Sequence, residues 1–456
     1  MLSLPIEMVV RAIELCVVDE NYFEENSRRL DRESAFGARW KAACAMRATC
    51  SFLRSVVAHW ERSTTFVAIR HLRLTALDLR VVASRFCNVL HVSVRDCVDL
   101  TSVRALATLW PQLTHVDSYN TAVGNVGALA KCTRLTHVDL GMTKVSDGTV
   151  HSLGKCLKLT HVELHYTKVG DLGVCALGMC KNLAQLNLNA TSVGDEGVTS
   201  LARQCIHLTR VDLGLTSVGD AGVRALAKCL ELADVDLRGT EVGDAGVVAL
   251  GTCATLERVD LSYTRVGDLG VSELSKCSCL KYVNLCNTNV GDTGVSELSK
   301  CSCLEYVNLR KTKVGDLSVS ALGMCKNLAQ LNLNTTSVGD KGVASLARQC
   351  IHLTRIDLGF TSVGDAGVVG LGTCATLERV DLSYTRVGDN GVSALAKCLE
   401  LADVNLRGTK VGDIGVSALT MCKNRAHVDV RHTMVSAAGV KVLKTARPHA
   451  DVQSDV

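Results

Sequence analysis

The sequence predicts an α/β solenoid, and three observations predict it. Cysteine recurs on a fixed ruler: Cys132, Cys156, Cys180, Cys205, Cys229, Cys253, Cys277, Cys301, Cys325, Cys350, Cys374, Cys398 and Cys422. The steps are 24 residues, with two of 25 where Gln204 and Gln349 are added. Between the cysteines runs L-x-x-V-D-L-x-x-T-x-V-G-D-x-G-V-x-x-L-x-x-C, a strand-like half followed by a helix-like half. No proline lies between 112 and 447, so nothing breaks those strands and helices. A period of this length marks units that stack rather than domains that fold alone.

Each position of the unit has a physical reason, taken here from Leu159 to Cys180. Leu159, Val162 and Leu164 alternate toward polar neighbours, as in a strand with one buried face. Thr167 and its equivalents, Thr121 through Thr433, sit at the turn, where a hydroxyl can satisfy backbone groups left unpaired. Asp171 precedes a helical stretch and is expected to cap free amides there. Val174, Leu177 and Cys180 recur every third residue along one helix face. Gly173 is small where helix and strand layers meet. One unit alone exposes both flanks of its apolar set, and only stacking buries them.

Taken in order, residues 1–62 carry no repeat. Ile6, Val9, Val10, Ile13 and Val17 return at helical spacing after Leu4-Pro5, a mixed-charge stretch follows, and helical spacing resumes from Trp40 to Trp60. Residues 63–112 are divergent first repeats, with strand patterns at Ile69–Leu74 and Val89–Val94. Residues 113–446 are regular repeats, although the unit from Leu113 is two residues short. The last of 16 strand patterns is Arg425–Val430. Residues 447–456 read as a frayed tail. Whole stretches are copied: Ala176–Asn189 recurs at Ala321–Asn334, Ala254–Asp268 at Ala375–Asp389, and Val271–Leu280 at Val295–Leu304.

Composition narrows the function classes. Net charge is +4, which gives no strong pull toward nucleic acid or anionic membrane. No apolar run is long enough for a membrane span. No signal peptide is evident, so 22 cysteines imply free thiols in a reducing cytoplasm, or the nucleus. The ladder cysteines read as small buried hydrophobes. Cys277-Ser278-Cys279 and Cys301-Ser302-Cys303 come nearest to a zinc spacing, but no C-x-x-C pair exists, and neither metal nor cofactor is expected. The catalytic motifs of nucleophile elbows, phosphate loops and zinc proteases are missing, so no enzyme is expected.

Binding is the better prospect. Strand side chains that point away from the core form columns. One column reads Asp117, Asp139, Glu163, Asn187, Asp212, Asp236, Asp260, Asn284, Asn308, Asn332, Asp357, Asp381, Asn405 and Asp429. Two residues earlier runs a column rich in His and Arg, including His161, Arg258 and Arg379. Together they are either a self-compensating surface or a stripe for a basic partner. Six of the seven tyrosines fall in or beside these columns. Tyrosine is enriched in binding patches. The candidate contact residues are Tyr119, His161, Tyr166, and the run Arg258, Tyr263, Tyr282, Tyr306, Arg310, with Phe360, Arg379 and Tyr384 as a second patch.

The unit resembles the leucine-rich repeat in its cysteine-containing subtype, with Thr in place of Cys/Asn and Gly-Asp in place of Thr-Asp. That resemblance implies a curved parallel sheet inside, helices outside, and a protein partner on the concave face. The N-terminus resembles an F-box, through Leu4-Pro5-Ile6-Glu7, the apolar helix with Ile13, and the segment containing Cys50 and Leu53. It departs by a charged insertion and by Leu53 where tryptophan is usual. The F-box resemblance implies that Leu4, Pro5, Ile6, Glu7, Ile13, Cys50 and Leu53 dock the adaptor of a cullin-type ubiquitin ligase. A plain helical cap is the alternative for residues 1–62. The chain also resembles repeat proteins of protozoan parasites labelled adenylate-cyclase regulators. Three functions stay open: a substrate-recognition subunit, a stand-alone scaffold or regulator of a signalling enzyme, or an antigen-like repeat protein under little partner constraint.

Overall fold

The computed structural model describes residues 65–68, 86–422, 427–446 and 450–456. The F-box-like residues 1–62 and the strand pattern at Ile69–Leu74 lie outside the described residues. The chain divides into two compact units, one reaching Val193 with Arg203–His207, the other comprising Gly194–Ala202 and Leu208–Val456. No described helix is long and apolar enough to cross a membrane.

Among the described residues of the first unit six strands lie in parallel and in chain order: β1 (Phe66–Ala68), β2 (His91–Ser93), β3 (His115–Asp117), β4 (His137–Asp139), β5 (His161–Glu163) and β6 (Gln185–Asn187). The second carries eleven: β7 (Arg210–Asp212), β8 (Asp234–Asp236), β9 (Arg258–Asp260), β10 (Tyr282–Asn284), β11 (Tyr306–Asn308), β12 (Gln330–Asn332), β13 (Arg355–Asp357), β14 (Arg379–Asp381), β15 (Asp403–Asn405), β16 (His427–Asp429) and β17 (Asp451–Gln453). Each strand is three residues, with its middle side chain buried in the regular units. A short helix follows each strand of the regular array, such as Asp220–Leu226 after β7. This is the α/β repeat solenoid the period predicts.

β1 stands at Phe66–Ala68, where Val67 pairs with Val92 at a spacing of 25. One strand differs from the sequence reading. The expected frayed tail supplies β17, because Asp451-Val452-Gln453 repeats the polar-apolar-polar pattern of His427-Val428-Asp429 and pairs with it. The short unit after β3 has no α-helix. Two residues fewer leave room only for the 3₁₀ turn Gly127–Lys131.

The ladder cysteines are buried, and most reach a carbonyl of the preceding repeat, as Cys156 Sγ does to Leu129 O at 3.3 Å. Burial pushes these thiols up, Cys132 to about 11 and Cys180 to about 12. Phe86 and Trp110 fill the same slot in the earliest repeats, and Trp110 Nε1 donates to Phe86 O. The turn threonines do what the sequence requires: Thr167 Oγ1 donates to Leu164 O at 2.6 Å, and Thr240 Oγ1 to Leu237 O at 2.6 Å.

The aspartate at each helix start acts differently from expectation. It is the first helical residue, after a glycine at the N-cap. Asp195 Oδ1 instead accepts from Gly219 N and Gly222 N, both at 2.8 Å, at the start of the next repeat's helix. Asp220 does the same for Gly243 and Gly246, at 2.8 and 2.9 Å. Orphan amides at each helix start are thus met by a carboxylate from the rung before. The glycine inside the helix makes room for it, since a Cβ on Gly222 would stand 2.7 Å from Asp195 Oδ1. Ser318 is the natural exception. Its Oγ donates to Asp292 Oδ1 at 2.6 Å and so turns the intruding side chain into a partner.

Candidate binding face

The acidic column is first of all part of the backbone. The carboxylate or amide oxygen two residues before each turn accepts the turn's N–H: Asp212 Oδ1 from Gly214 N at 2.9 Å, Asn308 Oδ1 from Arg310 N at 3.0 Å, Asp381 Oδ1 from Ser383 N at 2.8 Å. Asp and Asn do this equally, which is why they interchange along the column. Glu163 is too long for that bond and lies 3.5 Å from His165 Nδ1. The asparagines also relieve the carboxylates, as Asn284 Nδ2 donates to Asp260 Oδ2 at 2.8 Å and Asn405 Nδ2 to Asp381 Oδ2 at 2.8 Å. At the more deeply buried rungs the charge stays costly even beside an arginine. Burial, then the neighbouring Asp117, pushes Asp139 up to about 7 against the Gly141 amide and Arg95. Burial likewise lifts Asp236 to about 6.

The preceding column differs between the two units. In the first it is a stack of imidazoles. His91 and His115 rings are 3.9 Å apart, His115 and His137 4.0 Å, and His137 and His161 4.0 Å. Thr114, Thr136 and Thr160 hydroxyls hold the Nδ1 atoms of His115, His137 and His161 at 2.8–2.9 Å. Burial and mutual repulsion push His115 down to about 3 and His137 down to about 4, and burial lowers His161 as well. Beside them Tyr119 lies under the Arg95 guanidinium at 4.4 Å, its hydroxyl 2.9 Å from Met142 Sδ. Tyr166 is exposed at the turn after β5, two rungs on.

In the second unit the column is mostly charged, with two adjacent tyrosines, Tyr282 and Tyr306, in its middle. Arg210 and Arg258 both reach Asp234, at 3.1 and 3.6 Å, and Arg379 reaches Asp403 at 3.8 Å. Arg258 also caps the Tyr282 ring at 3.9 Å, and Tyr282 stacks on Tyr306 at 4.3 Å with the rings 6° from parallel. The structure therefore joins three members of the expected run, Arg258, Tyr282 and Tyr306, into one pile. Tyr263 and Arg310 lie beyond the strand ends, outside it. In the second patch Phe360 and Tyr384 stack at 4.5 Å, while Arg379 stays on its strand with Asp403. From Tyr306 to Gln453 the strands line a groove of about 500 Å³, walled by Gln330, Asn332, Arg355, Arg379, Asp403 and His427 among others.

The turn aromatics owe their exposure to backbone. Tyr166, Tyr263, Phe360 and Tyr384 all have φ between 54° and 58°, the left-handed region. The side chain is directed outward there, and Tyr263 is 57% exposed. Gly239 and Gly408 at the same slot, with Asn120 and Asn287, are the sequence signal that reveals this conformation. Histidine stacking and the acceptor role of the Asp/Asn column were not visible in the pattern alone. Among the described residues no group of three or more His, Cys, Asp or Glu is placed to hold a metal ion.

Six stretches match the family model described as Leucine Rich repeat: residues 204–227, 252–275, 276–299, 300–323, 349–372 and 373–396. No curated protein matches the chain. Solved structures share the fold. An internalin from Listeria monocytogenes superposes with TM-score 0.62 at 19% identity, covering 76% of this chain and 93% of the internalin. A leucine-rich-repeat protein from Leptospira interrogans gives 0.62 at 13% identity, covering 87% and 91%. The Arabidopsis receptor kinase HAESA, solved with the peptide hormone IDA and the co-receptor SERK1, gives 0.55 at 14% identity, covering 88% and 76%. At these identities the likeness is one of fold.

Proposed function

We propose that this leucine-rich-repeat protein is a non-catalytic scaffold that binds a protein or peptide on the outward face of its strands. The observation that carries the reading is the Arg258–Tyr282–Tyr306 pile beside the groove of β11 to β17. Stacked tyrosines offer ring edges and hydroxyls on a rigid base, which costs little conformational entropy on binding. The fold neighbour solved with a peptide hormone is consistent with such use. The experiment is affinity capture from native cells with the intact chain and with Tyr306→Ala. Capture that is equal for both would sink the placement of the site.

The finer reading is a substrate-recognition subunit of a cullin-type ubiquitin ligase, working in the cytoplasm or nucleus. Leu4, Pro5, Ile6, Glu7, Ile13, Cys50 and Leu53 would dock the adaptor while the strand face holds the target. Its support is the F-box resemblance of those residues. Co-purification of adaptor and cullin, lost in Leu4→Ala/Pro5→Ala, is the expected result. Recovery of no ligase component at native expression leaves the stand-alone scaffold or regulator.

A further inference from the structure

We propose that Cys279 and Cys303 form a redox pair, which closes into a disulfide between neighbouring repeats by exchange with a low-molecular-weight disulfide such as oxidised glutathione. The two residues hold the same slot, two positions after ladder cysteines Cys277 and Cys301. Their repeats are direct neighbours: Tyr282 pairs with Tyr306, and Glu305 N and Tyr306 N both donate to Lys281 O at 2.9 and 3.0 Å. Rungs of a parallel sheet stand about 4.8 Å apart. A disulfide spans Cα separations of about 4.4–6.8 Å.

The slot also directs its side chain toward the rung before. Thr255 Oγ1 donates to Leu230 O and Leu232 O at 3.1 and 2.9 Å, and Thr376 Oγ1 reaches Ile351 O and Leu353 O at the same distances. Asn327 Nδ2 donates to Ser302 O at 3.0 Å. Cys303, in that slot, is set against the segment carrying Cys279.

Access and reactivity single out this pair. Cys279 is exposed and Cys303 half-buried. The ladder thiols are buried and out of reach, and burial pushes the two beside this pair up, Cys277 to about 12 and Cys301 to about 11, which keeps them protonated. Cys87 and Cys175 are the other reachable thiols among the described residues, and neither has a cysteine in the same slot of an adjacent repeat.

The step balances. The Cys303 thiolate attacks one sulfur of oxidised glutathione, forms a mixed disulfide and releases a glutathione thiolate, which takes up a proton. The Cys279 thiolate then attacks Cys303 Sγ, forms the Cys279–Cys303 bond and releases the second glutathione. Two protein thiols are oxidised by two electrons, and one glutathione disulfide is reduced to two thiols. Each cysteine precedes a tyrosine of the pile, Tyr282 or Tyr306, by three residues, but the pair's chemistry needs no binding partner.

The test treats the full chain under native conditions with oxidised glutathione, alkylates the remaining thiols, and reads intact mass and cross-linked peptides. The expected product has lost two hydrogens and links the peptides of Cys279 and Cys303. Cys279→Ser should instead accumulate one glutathione on Cys303, and Cys303→Ser should show no link. A thermal melt of each variant checks that it folds. Glutathione spread over Cys87 and Cys175 with no Cys279–Cys303 link overturns the proposal, as does a chain that stays fully reduced.

Discussion

Ser318 offers a single-site test of the bond that joins one repeat to the next. Its hydroxyl donates to Asp292 Oδ1 at 2.6 Å, and its amide reaches the same oxygen at 3.2 Å. Ser318→Ala keeps the Cβ but removes the hydroxyl. At most sister sites a Cβ would press within 2.7–2.8 Å of the equivalent oxygen. A hydrogen bond to a charged group contributes about 1.5–3 kcal/mol. Alanine regains about 0.5 kcal/mol of helix propensity over serine. The net expectation is a loss of roughly 1–2.5 kcal/mol. Ser318→Gly loses the hydroxyl too, but it lets the carboxylate close on the amide as it does on Gly222 at 2.8 Å. It should stay within about 1 kcal/mol of the parent, the helix cost of glycine being of that size. The order is thus Ser, then Gly, then Ala, although alanine is the best helix former of the three. A repeat array need not unfold in one step, so the readout is hydrogen exchange at the amides of residues 315 and 318, beside urea melts. Alanine matching or exceeding glycine in protection would refute the inter-repeat cap.

Other outcomes follow from the same geometry. Asp139→Asn should stabilise the first unit at neutral pH, because Asn keeps the Gly141 N–H acceptor, at 2.9 Å in the parent, without a buried charge. The folded pKa of Asp139, about 7, lies above the unfolded value. Parent stability therefore falls as pH rises from about 4 toward 7, and that slope should flatten in the variant when urea midpoints are compared across pH. Thr264→Val removes the bond to Leu261 O, 2.5 Å long, and should cost about 1 kcal/mol in the urea midpoint. Tyr306→Ala should weaken partner capture about tenfold or more, while Tyr306→Phe separates the ring from its hydroxyl; calorimetry on the captured partner measures both.

The fold was legible because its signal is repeated many times over. Leucine, valine and cysteine spacing gives strand, helix and stacking together, and Thr167 turns as its chemistry requires. What was hidden lies between rungs. Asp195 precedes its own helix and also lies one period before Gly219, and sequence alone favours the nearer target. The column through Asp212 and Asn308 looked like surface charge, whereas an oxygen two residues from a turn amide is what those positions share. The lone Glu163 was the clue, since only there does the side chain lack the reach. β17 escaped notice because Asp451–Gln453 lacks the leucines that flank other strands. The site was only partly legible. Tyr282 and Tyr306 share a slot one period apart, so their contact could be read. That their faces are used on each other and on Arg258 could not.

The carboxylate that holds the next helix has an evolutionary consequence. Each repeat donates one such group forward and receives one from behind. A duplication of one whole period in the coding sequence therefore inserts a unit already fitted at both joints, and a deletion of one period leaves a joint that still closes. The copied segment Val271–Leu280 and Val295–Leu304 is what such an event leaves behind. Array length is free to drift in whole periods while the joint chemistry is conserved by construction, so selection on the outward face can proceed by gaining, losing and reordering rungs rather than by repairing the frame.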